Sequence, residues 1–171
     1  MDKVLIITGG SKGIGAGIIS AYLANNYSVI SIARTQNTEQ AFKAVHQIEF
    51  DLNQIDKIKN LLTETFKLID VAKLKAITLI NNAGKLGEIT TIEHRSVKDI
   101  DETIRLNTTV PLILISCFLA LTKKLTCRKK IINISSGAAK NPYFGWVSYC
   151  ASKAAIDMMT RSVAVEQETI E

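Results

Sequence analysis

The chain alternates between short apolar runs and longer segments in which apolar residues recur every three or four positions. Short runs rich in apolar and β-branched residues are typical of buried strands, and they occupy residues 3–8, 28–33, 47–50, 76–80 and 130–134. Three- and four-residue spacing is typical of helices, and it occupies residues 14–25, 55–69, 97–121 and 149–168, with a shorter helix expected at 38–44. Because Pro111 lies inside the segment 97–121, we expect that helix to bend or break there.

This alternation predicts a fold of the α/β class. Strands that alternate with helices form a parallel sheet covered on both faces, and right-handed crossovers restrict it to a doubly wound, Rossmann-like sheet. We expect the strand order 3-2-1-4-5 and a single domain over residues 1–171, since no repeat or linker divides the chain. The fifth strand is expected to be an open edge unless a sixth strand or another element covers it.

Composition and charge narrow the classes of function. Hydrophobic residues make up 47% of the sequence, which excludes a disordered chain. The net charge of +5 invites a polyanionic partner, but basic and acidic residues are interspersed. The densest basic cluster falls at a predicted helix end, where the helix dipole favours cations, and consists of Lys123, Lys124, Arg128, Lys129 and Lys130. A solvated helix end is therefore favoured over a nucleic-acid site.

The cysteines and histidines predict neither disulfides nor a metal site. Cys117, Cys127 and Cys150 contain no CxxC pair, and the two histidines lie far apart. The apolar run 110–121 is too short to span a bilayer, and the N-terminus lacks a signal-peptide pattern, so no membrane partner is expected. A reducing cytoplasm is the simplest location.

A glycine-rich turn, TGGSKGIG at 8–15, follows the first predicted strand. Its glycines suit a backbone that approaches a ligand closely, and the helix that begins there offers free N–H groups to a pyrophosphate. A tight structural turn is the alternative, but it leaves Lys12 and the last glycine unexplained. The residues expected to bind a cofactor at this turn are Gly9, Ser11, Lys12, Gly13, Ile14 and Gly15.

The end of the second strand predicts a preference for NADP(H). NAD sites place an acid there to bind the ribose hydroxyls, whereas this chain has Arg34. Arg34 and Lys12 together could clamp a 2′-phosphate, because a guanidinium binds phosphate in a bidentate manner. Taken singly, each residue could equally be surface charge.

Two other strand ends carry candidate cofactor contacts. Asp51 and Leu52 close the third strand, where Asp51 could reach an adenine or could instead cap the next helix. Asn82, Ala83 and Gly84 follow the fourth strand at the same edge of the sheet, where the small residues leave room for a ribose.

Four side chains form the candidate catalytic set. Tyr149 and Lys153 lie four residues apart and share a helix face, so an ammonium can stabilise the phenolate of a general acid–base. Ser136 follows the fifth strand and could hold a substrate carbonyl. Asn107 precedes the proline and could hold a water, or could be only a helix-breaking polar residue.

These motifs together resemble the short-chain dehydrogenase/reductase family. The matching elements, in order, are TGGSKGIG at 8–15, NNAG at 81–84, Asn107, NISS at 133–136 and YCASK at 149–153. The resemblance implies an oxidoreductase in which Tyr149 exchanges a proton with the substrate and Lys153 binds the nicotinamide ribose. It further implies that Ser136 orients the carbonyl and that Asn107 holds a water of a proton relay.

The resemblance also implies features beyond the catalytic set, and makes residues 1–171 a single NAD(P)-binding domain. Asp51 would contact adenine, Asn82 would stabilise the central strand beside NADP(H), and the last long helices would form a homodimer or homotetramer. Family members continue with a sixth strand and a substrate loop, so the chain is expected to be C-terminally truncated relative to them.

The stretch 135–166 is more narrowly similar to the bacterial benzil reductase and sepiapterin reductase branch, which reduces vicinal dicarbonyl groups. Tyr143, Phe144 and Trp146 could offer such a substrate an aromatic surface or could simply pack the loop. Two other hypotheses remain open: a non-catalytic NADP(H)-binding module and an inactive fragment of a reductase.

Overall fold

The computed structural model describes residues 2–167 and 170. Its five strands form one parallel sheet in the order β3-β2-β1-β4-β5, which confirms the predicted Rossmann-like topology. The strands are β1 (Lys3–Thr8), β2 (Ser28–Ala33), β3 (His46–Glu49), β4 (Ala76–Asn81) and β5 (Arg128–Asn133). The α-helices of the described residues are α1 (Gly13–Ala24), α2 (Ile58–Lys67), α3 (Val97–Ile104), α4 (Val110–Thr122) and α5 (Val147–Glu166).

The central strand β1 is buried on both faces because helices cover each side of the sheet. Successive side chains of a strand point to opposite faces, so Val4 and Ile6 belong to one core cluster and Leu5 and Ile7 to the other. The first cluster packs against α2 and α4, and the second contains Ile19 of α1. All strands run in the same direction, so their carboxyl ends meet at one edge of the sheet.

The helical segment predicted at 97–121 is interrupted before its proline, not at it. A π-helical turn, Arg105–Thr109, separates α3 from α4, and Pro111 lies in the first turn of α4. Proline is tolerated in a first turn, but its missing N–H withdraws a hydrogen bond from the carbonyl four residues earlier, that of Asn107. The irregularity therefore falls upstream of Pro111.

The run from Val97 to Thr122 is long and apolar enough to cross a membrane by length and composition alone. In the fold, however, Val110, Leu114, Ile115 and Phe118 are buried in the main core cluster. Packing against the sheet and α2 accounts for the apolar character of the buried face of this helix.

The outer edge of β5 carries an isolated parallel bridge between Lys129 and Ile170. This bridge is on the side where a sixth strand was expected. The predicted end of the last helix at residue 168 lies outside the described residues, and α5 ends at Glu166.

The packing of Phe118 gives a prediction about stability. This side chain is fully buried and its ring lies 6.3 Å from that of Phe66, so Phe118→Ala leaves a cavity between α4 and α2. We expect the free energy of unfolding, measured by urea denaturation, to fall by about 3–5 kcal/mol. The control Val165→Ala, at a position that is 85% exposed, should change it by less than about 0.5 kcal/mol. Equal effects of the two substitutions would contradict the packing described.

Candidate active site

A cleft of about 550 Å³ runs along the carboxyl edge of the sheet. It is lined by residues at or just beyond the ends of β1, β2, β3 and β4, and by Leu106 of the π-helical turn. Nine of the expected cofactor residues line it: Gly9, Ser11, Lys12, Arg34, Asp51, Leu52, Asn82, Ala83 and Gly84. Gly13, Ile14 and Gly15 lie in the first turn of α1, beside the lining segment Ser11–Lys12.

The glycine-rich turn packs directly on the loop that follows β4. Gly9 has a φ of +67°, and a Cβ built on it would lie 2.9 Å from the Cα of Ala83. A Cβ on Gly15 would overlap the carbonyl oxygen of Gly9. Both glycines are therefore required by backbone packing. Gly13, with a φ of +56°, faces open space, as a position that approaches a ligand would.

Asn82 and Thr8 hold these two loops together. The Asn82 side-chain amide donates to the carbonyls of Thr8 and Gly9 at 3.0 and 2.9 Å. In return, the Thr8 hydroxyl accepts hydrogen bonds from the main-chain N–H groups of Asn82 and Ala83, both at 3.1 Å. The amide of Asn82 is thus used to shape the floor of the cleft.

The turn after β1 is also tied to the turn after β2. The hydroxyl of Thr35 lies 3.4 Å from that of Ser11, and the Asn37 amide donates to the Ser11 carbonyl at 3.1 Å. Lys12 and Arg34 are both exposed beside these contacts. Neither has an acidic partner within 4.0 Å among residues 2–167 and 170, so both side chains are available to an anion in the cleft.

Asp51 lines the cleft but does not cap a helix. One of its carboxylate oxygens accepts hydrogen bonds at 3.0 Å from both the main-chain and the side-chain nitrogen of Asn53, which forms an Asx turn. The next helical residues begin at Ile55, with Gln54 at the cap position. The capping alternative is therefore wrong, because the carboxylate stabilises the turn before the helix instead.

Lys153 and Tyr149 lie on the first turns of α5. The Lys153 ammonium donates to the main-chain oxygen of Ile134, just beyond β5, at 2.7 Å. It lies 5.6 Å from the centre of the Tyr149 ring. Burial lowers the pKa of Lys153, and the carboxylate of Asp157 partly offsets this effect. A cation with a fixed position thus stands beside a half-buried phenol.

Ser136 is held by the turn that follows it. Its hydroxyl oxygen accepts a hydrogen bond from the N–H of Ala138 at 3.2 Å, as the cap of the 3₁₀ turn Gly137–Ala139. This contact occupies a lone pair and leaves the hydroxyl hydrogen available. The same turn packs against the loop before α5, since the Tyr143 hydroxyl lies 3.8 Å from a Cβ built on Gly137.

Asn107 lies in the π-helical turn and is almost fully buried. Its side-chain oxygen accepts from the N–H of Lys85 at 2.9 Å, and its amide donates to the carbonyl of Lys85 at 2.8 Å. The amide also donates to the hydroxyl of Ser152 at 3.0 Å. Asn107 therefore joins the loop after β4 to α5, and π-helical turns are common at functional sites.

Sequence reasoning did not assign Thr8, Thr35, Lys85 or Ser152 to the site. Thr8 and Ser152 lie within the motifs TGGSKGIG and YCASK, whereas Thr35 and Lys85 directly follow Arg34 and NNAG. Their position in or beside the motifs was a signal, but their partners are distant in sequence. Only the folded chain brings these partners together.

Comparisons with known proteins agree with this geometry. A model of the short chain dehydrogenase family matches residues 3–170. A benzil reductase of Bacillus subtilis that forms (S)-benzoin is 37% identical, over 97% of this chain and 68% of its own length. The sepiapterin reductase of Rattus norvegicus is 29% identical, over 98% of this chain and 70% of its own.

A solved short-chain dehydrogenase/reductase from Burkholderia vietnamiensis superimposes with a TM-score of 0.89 at 27% identity, over 100% of this chain and 82% of that one. The family resemblance and its benzil and sepiapterin reductase branch are thereby confirmed. The chain belongs to the short-chain dehydrogenase family, whose members are oxidoreductases that bind a nicotinamide cofactor.

Proposed function

We propose that this protein is an NADP(H)-dependent reductase that converts a carbonyl group to an alcohol, with vicinal dicarbonyl compounds as its substrate class. The observation that carries the proposal is the pair formed by Tyr149 and a buried Lys153 that is anchored to the carbonyl of Ile134. A tyrosine beside a fixed cation is suited to donate a proton and to hold the resulting negative charge.

The cleft fits a dinucleotide. Its walls include the apolar side chains of Ile32, Leu52 and Leu106, which suit an adenine ring, and the turn at Gly13 leaves open space beside the start of α1. Lys12 and Arg34 would hold the 2′-phosphate that distinguishes NADP(H). When bound, the reduced nicotinamide supplies the hydride.

The chain's own residues would supply orientation and the proton. Ser136, whose hydroxyl hydrogen is not used by its contact with Ala138, would donate to the substrate carbonyl and hold it near Tyr149. Tyr149 would donate its proton to the carbonyl oxygen. Lys153 would stabilise the phenolate that remains, since an ammonium favours the charged form of a nearby phenol.

A relay would then return a proton to Tyr149 through Lys153 and a water held by Asn107. The side chain of Asn107 is engaged by Lys85 and Ser152, so the main-chain carbonyl is the group left to hold this water. Pro111 has no N–H to give to that carbonyl, which is therefore open to a water.

The loop before α5 supports an aromatic substrate. We call residues 143–146 the aromatic loop. The rings of Tyr143 and Trp146 lie 5.0 Å apart, the Trp146 ring meets that of Tyr149 edge-on at 5.6 Å, and Phe144 is 82% exposed. An aromatic diketone could stack on these rings beside the proton donor.

The first test of the proposal is Tyr149→Phe, which removes only the hydroxyl. With an aromatic 1,2-diketone as substrate, we expect kcat, followed by NADPH absorbance, to fall at least about 100-fold, because a general acid contributes that much or more. The Kd for NADPH should stay within about threefold, since the ring remains in place.

The matched control is Tyr27→Phe, which also removes a tyrosine hydroxyl but at a position between α1 and β2. This variant should keep full activity. Undiminished turnover by Tyr149→Phe would overturn the assignment. A wild-type protein that binds NADPH and turns over no carbonyl substrate would favour a binding module or an inactive fragment.

The second test concerns cofactor preference. Arg34→Ala removes one of the two basic side chains that line the cleft, Lys12 and Arg34, and we expect the Kd for NADPH to rise about 10- to 100-fold, because hydrogen bonds to charged groups have this magnitude. Binding of NADH should change little. Arg161→Ala, which removes the same charge from an exposed position of α5, should affect neither. Equal losses for NADPH and NADH would argue against a 2′-phosphate site.

We also propose that the protein is a homodimer or homotetramer in the cytoplasm. Leu112 of α4 and Met158 of α5 are about half exposed, at 50% and 56%, which suits burial against a second copy. The three cysteines are free, as a reducing compartment would keep them. We expect light scattering at micromolar concentration to give at least twice the chain mass of 18.8 kDa, and a monomer would contradict this.

A further inference from the structure

A buried ion cluster lies beside the active site and takes no part in the mechanism above. The side chains of Arg95 and Asp99 are 1% and 7% exposed and lie 3.0 Å apart. Removing two charges from water is costly unless further hydrogen bonds compensate for it. The other contacts of this pair therefore indicate its role.

Arg95 binds two separate loops through one guanidinium group. Its Nη2 atom donates to the main-chain oxygen of Gly145 at 2.7 Å and also to that of Glu88. Its Nη1 atom donates to Asp99, whose carboxylate accepts the N–H of Glu88 at 3.1 Å. The segment after β4 and the aromatic loop are thus connected through a single planar side chain.

The backbone of both loops is shaped to receive this side chain. Gly87 has a φ of +78°, and a Cβ there would lie 2.7 Å from the carboxylate of Asp99 and 2.9 Å from Arg95. Gly145 has a φ of +76°, and a Cβ there would lie 3.1 Å from the side chain of Ile89. Each loop therefore comes close to the cluster or to the other loop at a glycine with positive φ.

The cluster reaches both sides of the proposed active site. On one side, Gly145 is followed by Trp146, whose ring meets that of Tyr149. On the other, the ammonium of Lys85 lies 3.0 Å from Asp99, and the main chain of Lys85 holds Asn107. Because Arg95 binds the main chain of Gly145 directly, a displacement of Arg95 would shift the residue that precedes Trp146.

We propose that Arg95 is a positioning residue for the carbonyl substrate: it anchors the aromatic loop beside Tyr149 and so sets substrate affinity. This inference rests on the proposed function and deepens it. Arg95 does not line the cofactor cleft, so its loss should change substrate binding and leave cofactor binding intact.

The test is Arg95→Lys, which keeps the charge opposite Asp99 but replaces the planar fork with a single ammonium that cannot hold Asp99, Glu88 and Gly145 together. We expect KM for the aromatic diketone to rise at least about tenfold, with kcat within about threefold, because a charged hydrogen bond is lost at the loop and not at the reacting atoms. The Kd for NADPH should not change.

A second readout reports on the loop itself. Trp146 is the one tryptophan of the chain, so acrylamide quenching of the intrinsic fluorescence measures how well the aromatic loop is packed. We expect quenching to increase in Arg95→Lys. Gly145→Ala should also raise KM and quenching, because an alanine is strained at the positive φ of Gly145, the residue whose carbonyl accepts the hydrogen bond from Arg95.

Arg105→Lys is the matched control, since Arg105 also pairs with an aspartate four residues away, Asp101, but on the exposed surface. It should leave KM and quenching unchanged. Unchanged quenching in both Arg95→Lys and Gly145→Ala would overturn the inference, as would increased quenching with an unaltered KM. Quenching requires no turnover, so it separates the two proposals. If the wild-type protein shows no activity but Arg95→Lys still increases quenching, the proposed function is contradicted and the anchoring role of Arg95 is not.

Discussion

The hydrogen bonds from Asn82 to the carbonyls of Thr8 and Gly9 are the contacts on which the cleft depends. They join the ends of the adjacent strands β1 and β4, and thereby hold the glycine-rich turn against the loop after β4. Both carbonyls need a donor once they are withdrawn from water, and an amide supplies two. The absence of side chains at Gly9 and Gly15 lets the backbones come close enough for these bonds to form.

The proton-transfer side is built on a second set of buried polar contacts. Lys153 is directed by the carbonyl of Ile134, and Asn107 is fixed between Lys85 and Ser152. In each case a side chain meets main-chain groups of a segment that follows a strand and has no regular backbone partner there. The irregular points of the fold are therefore where its functional groups are oriented.

Two arginines illustrate how environment decides the role of one residue type. Arg34 is exposed without an acidic partner in the described part of the chain, and so remains available to a phosphate. Arg95 is buried, with its charge balanced by Asp99 and its Nη2 group donating to the main-chain oxygens of Glu88 and Gly145. The first suits reversible binding of a ligand, whereas the second suits the permanent connection of two loops.

Local patterns in the sequence determined the order of strands and helices, and the bounds predicted for β1 and β2 are those observed, because residue periodicity reports which faces are buried. The motifs likewise determined the family and placed the glycine-rich turn at the carboxyl edge of the sheet. The tertiary structure alone decided the Asx turn at Asp51, the π-helical turn at Asn107 and the partners of Arg95. The hydrogen bonds of Asn107 and Arg95 join groups that are far apart along the chain, which residue spacing cannot reveal. The bond between Asp51 and Asn53 is local, but the spacing does not show whether the carboxylate caps a helix or forms a turn.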